Sequence, residues 1–395
     1  MKILIVHNSL NDGHSMSGVL QHYLLMARAW LAQGHEVDFL VARAAYPQIR
    51  ANVPECGLVC SDAFFDATNY LDQTWRYLPA YAWRMLSAIW LPTPKPYDVV
   101  YASNLLFFEV VPALILSRRL GAKCVVKIQH LLHGHSGRIS FFDKMFLLSE
   151  RWCMRLIGKY ASGTMCLSQT VAKAYALWRQ RWGWPRHEVQ VVGCGLDFSA
   201  IDQTLEEAKQ YDVILLGRVH EQKGVFDLLA CWRHVCSQRP NSTLIVVGEG
   251  PHRKALMAQF AEAGLSRHVT FAGGVSEAVK NGYLRKARVG LSLSFEEGWG
   301  LSVTEMLASG LPVVAYELPV FRELFESVIQ LVPSRFPQEA AMKIIHLLED
   351  PQCARHEGIK GADFVRQFGY REVADQELDF IQELPNPSWA KAVDS

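Results

Sequence analysis

The chain has 395 residues, half of them hydrophobic and a fifth charged, a composition that is typical of globular proteins and excludes a disordered or fibrous chain. This length exceeds one ordinary hydrophobic core and suits two α/β domains. The net charge is +1, but residues 1–200 hold 20 Lys and Arg against 13 Asp and Glu, whereas the remainder holds 20 against 26. The basic first half predicts an anionic partner on that side of the molecule.

Short apolar runs rich in β-forming residues alternate with helical patterns along the chain. In the first half these runs predict strands at 2–7, 36–41, 98–101, 123–129, 163–168 and 188–192. In the second half they predict strands at 212–216, 243–247, 268–272, 288–293, 312–316 and 328–332. Strand–helix–strand repetition implies parallel sheets covered by helices, so we predict an α/β chain of two Rossmann-like, doubly wound domains.

The cysteines and the apolar runs indicate where in the cell the protein is expected to reside. Nine cysteines without a C-x-x-C pair favour a reducing environment and argue against a disulfide framework. The first apolar run is too short for a signal peptide. The longest apolar stretch, Leu105 to Ser117, contains Glu109 and Pro112 and falls short of the ~20 residues that span a bilayer. We expect a cytoplasmic protein, with peripheral contact to the inner face of the membrane as an open possibility.

In doubly wound sheets, ligands bind beyond the carboxyl ends of the strands. The loop after the strand at 212–216 contains Gly217, Arg218, Lys223 and Gly224. Glycines allow close backbone approach, the two side chains supply cations, and a helix beginning near Gly224 would add free N–H groups. This combination suits a diphosphate, although a surface loop with two solvated charges explains it equally well.

Two other loops of the second half end strands with small residues. Gly248 follows the strand at 243–247, and Val275 follows the small residues Ala272 to Gly274. Small residues leave room for a flat base against the backbone. By itself, neither loop distinguishes a binding site from an ordinary turn.

Glu297 and Glu305 flank a glycine turn with the start of a helix, made by Gly298, Trp299, Gly300, Leu301 and Ser302. Free N–H groups at that helix start could bind a phosphate oxygen, Glu297 could face a sugar ring, and Glu305 could accept hydrogen bonds from ribose hydroxyls. The alternative for Glu305 is a capping box with Ser302, which the spacing alone favours.

Taken in order, these segments resemble glycosyltransferase family 4, whose enzymes have the GT-B fold. The resemblance is strong over residues 190–384 and loose before them. Its elements are Gly217-Arg218 with Lys223-Gly224, Val247 to Pro251, Phe271-Ala272-Gly273, the E-x7-E pair Glu297 and Glu305 running into Met306 to Ala315, the turn Val191 to Asp197, and Phe368-Gly369-Tyr370.

The resemblance implies GT-B architecture, with two Rossmann-like domains facing across a cleft. Residues 1–198 would form the acceptor-binding domain, 199–370 the domain that binds the nucleotide-sugar donor, and 371–395 a helix packing back on the first domain plus a tail. It also implies a configuration-retaining sugar transfer from a nucleotide-diphosphate sugar, without metal or other cofactor.

The resemblance also assigns roles to individual residues. Arg218 and Lys223 would neutralise the leaving diphosphate, Glu297 would hold the donor sugar beside the anomeric carbon, and Glu305 would hold the ribose. His130 stands where the family often has a histidine touching the donor sugar, and Gly13 and Gly18 stand near the usual glycine pair. The full set expected to bind the donor is Gly217, Gly248, Val275, Gly298, Gly300, Leu301, Ser302 and Glu305.

His130, His133 and His135 lie close together, and they could be loop histidines with no role. A zinc site would need a further ligand, and no carboxylate or thiol stands at a usual spacing. We therefore predict no metal site.

Aromatic and basic residues are mixed at 75–97, which includes Arg84, at 141–160 and at 178–184. This mixture is typical of a membrane-surface face and favours a lipid-phosphate saccharide or glycan acceptor. The alternative is that the tryptophans pack the domain and the cations are solvated. No nucleic-acid recognition motif is present.

The predicted function is sugar transfer in the biosynthesis of cell-surface polysaccharide, lipopolysaccharide or glycolipid. A sugar-nucleotide 2-epimerase of the same fold and a non-catalytic sugar-nucleotide-binding module are the alternatives. The residues leave the base, the sugar and the acceptor open.

Overall fold

The computed structural model describes residues 1–8, 18–62, 77–132, 141–184, 188–201 and 208–387. The chain divides into two compact units, of which the first contains Met1–Gly195 and the segment from Tyr370 onward, and the second contains Leu196–Gly369. Each unit is built on a parallel sheet with helices against it.

Within these described residues, seven parallel strands form the sheet of the first unit in the order β3-β2-β1-β4-β5-β6-β7. Chain order reverses beside β1, where doubly wound sheets place their ligands. The strands are β1 (Lys2–Val6), β2 (Glu36–Val41), β3 (Gly57–Cys60), β4 (Val99–Ala102), β5 (Lys123–Ile128), β6 (Gly163–Cys166) and β7 (Val189–Val191).

Strand β1, which pairs with β2 on one side and β4 on the other, is buried on both faces of the sheet. Ile3 and Ile5 of β1 belong to one hydrophobic cluster, whereas Leu4 and Val6 belong to another. This alternation follows from the period of two of a strand, and it explains why β1 is a continuous apolar run. The helices of this half are α1 (Gly18–Ala32), α2 (Tyr46–Asn52), α3 (Tyr77–Ser87), α4 (Phe107–Leu120), α5 (Phe141–Tyr160) and α6 (Gln169–Arg181).

The sheet of the second unit has six parallel strands in the part of the chain that the structure describes, in the order β10-β9-β8-β11-β12-β13. Its strands are β8 (Tyr211–Leu216), β9 (Leu244–Val247), β10 (Val269–Gly273), β11 (Ala287–Ser292), β12 (Val313–Tyr316) and β13 (Gln330–Val332). Its helices are α7 (Asp227–Gln238), α8 (Arg253–Glu262), α9 (Glu277–Lys286), α10 (Leu301–Ala308), α11 (Pro319–Phe325), α12 (Pro337–Glu349) and α13 (Pro351–Val365).

The last helix, α14 (Tyr370–Glu383), belongs to the first unit. Its buried side chains, among them Val373, Leu378 and Ile381, join the same cluster as residues of α1. The indole N–H of Trp30 donates a hydrogen bond to the carbonyl of Ala374 at 3.1 Å. The C-terminal helix therefore contributes to the core of the unit in which the chain begins.

The sequence prediction missed β3. This strand has four residues and lies at the edge of the sheet, paired with β2 alone. The strand begins with Gly57, and glycine weakens the sequence pattern of a strand. Its position depends on tertiary contacts, including a hydrogen bond from the Gly57 N–H to the carboxylate of buried Asp38 at 3.1 Å.

No helix among the described residues combines the length and apolar composition that crossing a membrane requires.

Candidate active site

The loop after β8 contains the predicted diphosphate residues. The helix expected near Gly224 begins instead at Asp227, and a short 3₁₀ turn, Glu221–Lys223, precedes it. The helix is therefore present but starts slightly later than expected, because Gly224 takes the left-handed conformation, with φ of +64°, and ends the turn. A Cβ at Gly224 would lie 1.9 Å from the carbonyl oxygen of Leu293. Glycine is therefore required for this loop to lie against the end of β11.

Lys223 and Glu297 are in direct contact. The Lys223 ammonium donates a hydrogen bond to Glu297 Oε1, and Ser294 Oγ donates to the same oxygen at 2.9 Å. The Phe295 N–H also donates to the carbonyl of Gln222 at 2.9 Å. The structure thus unites two residues that stand 74 positions apart in the chain and joins the loops after β8 and β11.

The loops after β8, β9 and β10 are joined through their backbones. The Gly217 N–H donates to Val247, and the Gly248 N–H donates to Gly273, at 3.0 and 2.9 Å. Gly248 has φ of +142°, and a Cβ there would lie 2.0 Å from the Gly217 carbonyl. A larger residue would force the two loops apart. Arg218 projects from the first of these loops and is exposed.

The capping-box interpretation of Glu305 was wrong. Helix α10 begins at Leu301, and its N-cap is Gly300, which has no side chain to accept a hydrogen bond. Ser302 is therefore already inside the helix, where it cannot serve as the cap. The Glu305 carboxylate instead accepts a hydrogen bond from the Lys280 ammonium at 2.7 Å. Lys280 also donates to Glu277 at 2.6 Å.

Burial governs the ionisation of this pair. It raises the pKa of Glu305, and the charge and hydrogen bond of Lys280 offset only part of that rise. Burial by itself would lower the pKa of Lys280, but the carboxylates of Glu305 and Glu277 outweigh burial and raise the pKa. Lys280 therefore remains a cation that faces the Glu305 carboxyl group.

Sequence reasoning missed Lys280. Glu277 and Lys280 stand three positions apart, which resembles an ordinary solvated pair on a helix surface. One feature of the sequence could have identified it. Lys280 stands four residues before Leu284, so the two share one face of a helix, and that face of α9 is buried. A lysine in an apolar stripe needs a charged partner.

The other residues predicted to form the site are distributed between the two units. Gly298 is buried beside the turn, and Val275, Leu301 and Ser302 are half-buried near the starts of α9 and α10. In the first unit, His130 is half-buried two residues after β5, and Gly18 is the exposed first residue of α1. Gly13, His133 and His135 lie outside the described residues. The described part of the chain contains no group of three His, Cys, Asp or Glu side chains suited to holding a metal ion.

Helix α5 carries an exposed stripe that bears on the acceptor side, and we call it the α5 stripe. Its members are Lys144, Leu148, Arg151, Trp152, Arg155 and Lys159, spaced three or four positions apart except for the adjacent Arg151 and Trp152. From Lys144 to the end of the helix, the one carboxylate is Glu150, which is buried and accepts a hydrogen bond from the Leu132 N–H at 2.6 Å. The stripe is therefore cationic and partly apolar.

The other two aromatic and basic segments differ from each other. Near the end of α6, Trp178 and Trp182 stack with ring centroids 4.9 Å apart, and the Arg151 guanidinium lies 5.0 Å from the Trp182 ring. In the earlier segment, Arg84 is buried and donates to the carbonyl of Asn8 at 2.7 Å. We expected Arg84 on the surface, and this prediction was wrong. The hydrogen bond to the Asn8 carbonyl compensates for the burial of its guanidinium group.

Comparisons with known proteins agree with this architecture. The family model described as "Glycosyl transferase 4-like domain" matches residues 17–195, and that described as "Glycosyl transferases group 1" matches residues 198–363. The structure of Anabaena HepE in complex with UDP and glucose resembles this chain with a TM-score of 0.76 and 20% identity, covering 97% of this chain and 100% of that one.

Two curated relatives match over shorter segments. The phosphatidyl-myo-inositol mannosyltransferase of Mycobacterium leprae is 32% identical over 168 residues, which cover 42% of this chain and 44% of that protein. The alpha-monoglucosyldiacylglycerol synthase of Acholeplasma laidlawii is 27% identical over 143 residues, 36% of each chain. These matches span less than half the length of either relative.

Two parallel-sheet units with this likeness to a glycosyltransferase structure define the GT-B fold. The matches to both family models then identify the group within that fold: the chain belongs to the family 4 type of glycosyltransferases.

Proposed function

We propose that this protein is a configuration-retaining, metal-independent enzyme that transfers a sugar from a nucleotide-diphosphate sugar to a lipid-linked or saccharide acceptor. The observation that carries the proposal is the contact between Lys223 and Glu297, where the loops after β8 and β11 meet. In a doubly wound sheet, this edge is the ligand-binding edge.

The second unit would bind the donor. Lys223 and exposed Arg218 would stabilise the negative charge that develops on the departing diphosphate, which is the main electrostatic demand of the reaction. Glu297 would accept hydrogen bonds from sugar hydroxyls, and Glu305 would accept them from the ribose. Gly217, Gly248 and Val275 would line the nucleotide, with Gly298, Gly300, Leu301 and Ser302 around its phosphates.

The proposed reaction needs no covalent enzyme intermediate and no cofactor. The bond between the anomeric carbon and the diphosphate oxygen breaks, and the acceptor oxygen bonds to the same face of the sugar. The acceptor hydroxyl proton passes to the departing phosphate oxygen. His130 would contact the donor sugar, the role that the family resemblance gives it.

The first unit would bind the acceptor, with the protein at the cytoplasmic membrane surface. The α5 stripe supports this part of the proposal, because Lys and Arg side chains with interspersed Leu and Trp suit an anionic bilayer surface. The names of the two curated relatives contain diacylglycerol and phosphatidyl-myo-inositol, which are lipids. We place the product in the biosynthesis of a cell-surface polysaccharide, lipopolysaccharide or glycolipid.

The test is a transfer assay of the full chain with UDP-, GDP-, ADP- and CDP-sugars, with EDTA present and a bacterial lipid extract as acceptor. We expect one donor class to support transfer, and NMR of the product to show the anomeric configuration of the donor. The variants Lys223→Ala and Glu297→Ala should each reduce kcat by about 10²–10³, whereas Glu296→Gln should keep normal activity.

Each other outcome contradicts a specific part of the proposal. Full activity in Lys223→Ala or Glu297→Ala would refute the site, and complete inhibition by EDTA would refute metal independence. A new sugar nucleotide formed without acceptor would identify an isomerase. Binding of a sugar nucleotide without turnover, whatever acceptor is supplied, would identify a binding module.

A further inference from the structure

Lys280 has no part in the sugar-transfer roles above, yet it is only 8% exposed. It lies on the buried side of α9 with Asn281 and Leu284. Lysine is rarely buried, because removing an ammonium group from water is costly unless an opposite charge compensates it. The position of Lys280 therefore requires an explanation in terms of its partners.

Its two partners are unequal. Lys280 Nζ lies 2.7 Å from Glu305 Oε1 and 2.6 Å from Glu277 Oε2, but the Glu305 side chain is 9% exposed and the Glu277 side chain is 46% exposed. A solvent-exposed ion pair contributes little to stability, whereas the loss of one partner from a buried pair is severe. Glu305 is therefore the partner that accounts for the buried position of Lys280.

The contact also fixes the direction of the Glu305 carboxyl group. Lys280 occupies Oε1, so Oε2 is the oxygen with the greater capacity to accept further hydrogen bonds. The two side chains belong to different helices, α9 and α10, and α9 follows the loop that contains Val275. Lys280 thus joins α9 to α10.

We propose that Lys280 is a positioning residue that holds Glu305 as an oriented carboxylate for the ribose diol, and so gives the protein a preference for ribonucleotides over 2′-deoxyribonucleotides. This inference rests on the proposed function, in which Glu305 binds the ribose. Hydrogen bonds to an ionised acceptor are stronger than those to a neutral one. Burial opposes the ionised form of Glu305, and the Lys280 ammonium supports it.

The test compares the binding of nucleoside diphosphates by calorimetry. The full chain is titrated with UDP, GDP, ADP and CDP, with the 2′-deoxy counterpart of whichever binds, and with pyrophosphate. We expect the unaltered protein to prefer the ribonucleotide by roughly tenfold to a hundredfold, the range for a hydrogen bond to a charged group. In Lys280→Met this preference should fall to about twofold or less on the same scale, with pyrophosphate affinity unchanged.

Four further variants separate orientation from a merely structural role. Lys280→Arg keeps the cation and should keep the preference, whereas Lys280→Gln should lose it, and Gln carries the test if the Met variant does not fold. Glu277→Gln removes the exposed partner and should keep the preference. Lys343→Met, on the exposed side of α12, is the matched control for removal of a lysine.

The outcomes distinguish this inference from the proposed function. If Lys280→Met and Lys280→Gln fold and retain the full ribose preference, Lys280 does not position Glu305, while the proposed function stands. If Glu277→Gln loses the preference as Lys280→Met does, the exposed pair is the one that matters and the inference is wrong. If no nucleoside diphosphate binds the unaltered protein, both the proposed function and this inference fail.

Discussion

Lys127 of β5 and Glu377 of α14 form an ion pair inside the first unit, with both side chains fully buried although 250 positions separate them in the chain. Tyr101 donates its hydroxyl to the other oxygen of Glu377 at 2.8 Å, and Lys127 also donates to the carbonyl of Gly193 at 2.9 Å. Charge as well as apolar contact therefore fixes α14 to the first sheet.

Breaking this pair should destabilise the first unit strongly. Glu377→Gln should lower the free energy of unfolding by about 3–5 kcal/mol, because it leaves the Lys127 ammonium buried without a counter-charge. Urea denaturation followed by circular dichroism measures the change. Glu383→Gln, at an exposed position of the same helix, is the control and should stay within about 0.5 kcal/mol.

A double variant tests whether the unpaired charge causes that loss. Lys127→Met with Glu377→Gln should lose less free energy of unfolding than the sum of the two single variants, because no unpaired ion then remains. Strictly additive losses would show that the two residues act independently.

His7 should make the free energy of unfolding of the first unit depend on pH in the acidic range. Its Nδ1 lies 2.9 Å from Ser103 Oγ, with Glu109 3.9 Å away. Burial, followed by the charge of Arg84, lowers the pKa of His7 to about 4. An unfolded histidine has a pKa of ~6.5, so between these values the unfolded chain binds more protons than the folded one. The free energy of unfolding should therefore decrease as the pH falls from about 6.5 to 4, by up to ~3 kcal/mol.

Urea denaturation at pH 7, 5.5 and 4.5 measures this dependence. His7→Gln keeps a polar side chain beside Ser103 and should reduce the decrease over that window. A smaller decrease should remain, because burial also lowers the pKa of His22. His356→Gln, at an exposed position of α13, should keep the slope of the unaltered protein. An unchanged slope in His7→Gln would refute the assignment.

Two glycines of the second unit form a matched pair for testing the Lys223 loop. Gly224 and Gly310 both have positive φ, but a Cβ at Gly310 would meet nothing within 4 Å, whereas one at Gly224 would overlap the Leu293 carbonyl. Gly310→Ala should lower the free energy of unfolding by about 1–2 kcal/mol, which is the cost of holding a residue with a Cβ in the left-handed conformation. Gly224→Ala should lower the free energy of unfolding by more than that. It should also abolish the rise in melting temperature that a nucleoside diphosphate gives the unaltered protein. Equal effects of the two variants would contradict the close-contact argument.

The α5 stripe should bind anionic vesicles. Arg151→Glu combined with Arg155→Glu should reduce co-sedimentation with phosphatidylglycerol-containing vesicles at least tenfold, because each basic side chain near such a surface contributes about 1 kcal/mol. The interaction of the unaltered protein should weaken as salt is added. Lys343→Glu with Lys360→Glu, both exposed in the second unit, changes the net charge equally and should leave binding intact. Equal loss in both variants would indicate that net charge alone matters.

The strands show how far local patterns reach. Every predicted strand is present within two residues of its expected ends, because strands buried on both faces, such as residues 3–6 of β1 and all of β9, are continuous apolar runs. Strand β3 was missed because Gly57 weakens its pattern and because its pairing with β2 is a non-local contact.

In the candidate site too, the sequence predicted suitable residue types but did not predict which of them make contact. The sequence identified Lys223 and Glu297 as chemically suitable, but their contact depends on two loops of one sheet lying side by side. For Glu305 the spacing alone favoured a capping box with Ser302, whereas the family resemblance implied a contact with the ribose. The structure excluded the capping box, because Gly300 is the N-cap of α10, and it showed that Glu305 contacts Lys280 of α9.

The sequence by itself determined the strands buried at the sheet centres, the two-domain α/β class and the residue types available for binding a diphosphate, because these follow from short-range periodicity and from chemistry. Only the tertiary structure decided which charges meet. The pairs Lys223–Glu297, Lys280–Glu305 and Lys127–Glu377 each join separate elements. The energy of a buried charge depends on which opposite charge the fold places next to it, and spacing along the chain does not specify that neighbour.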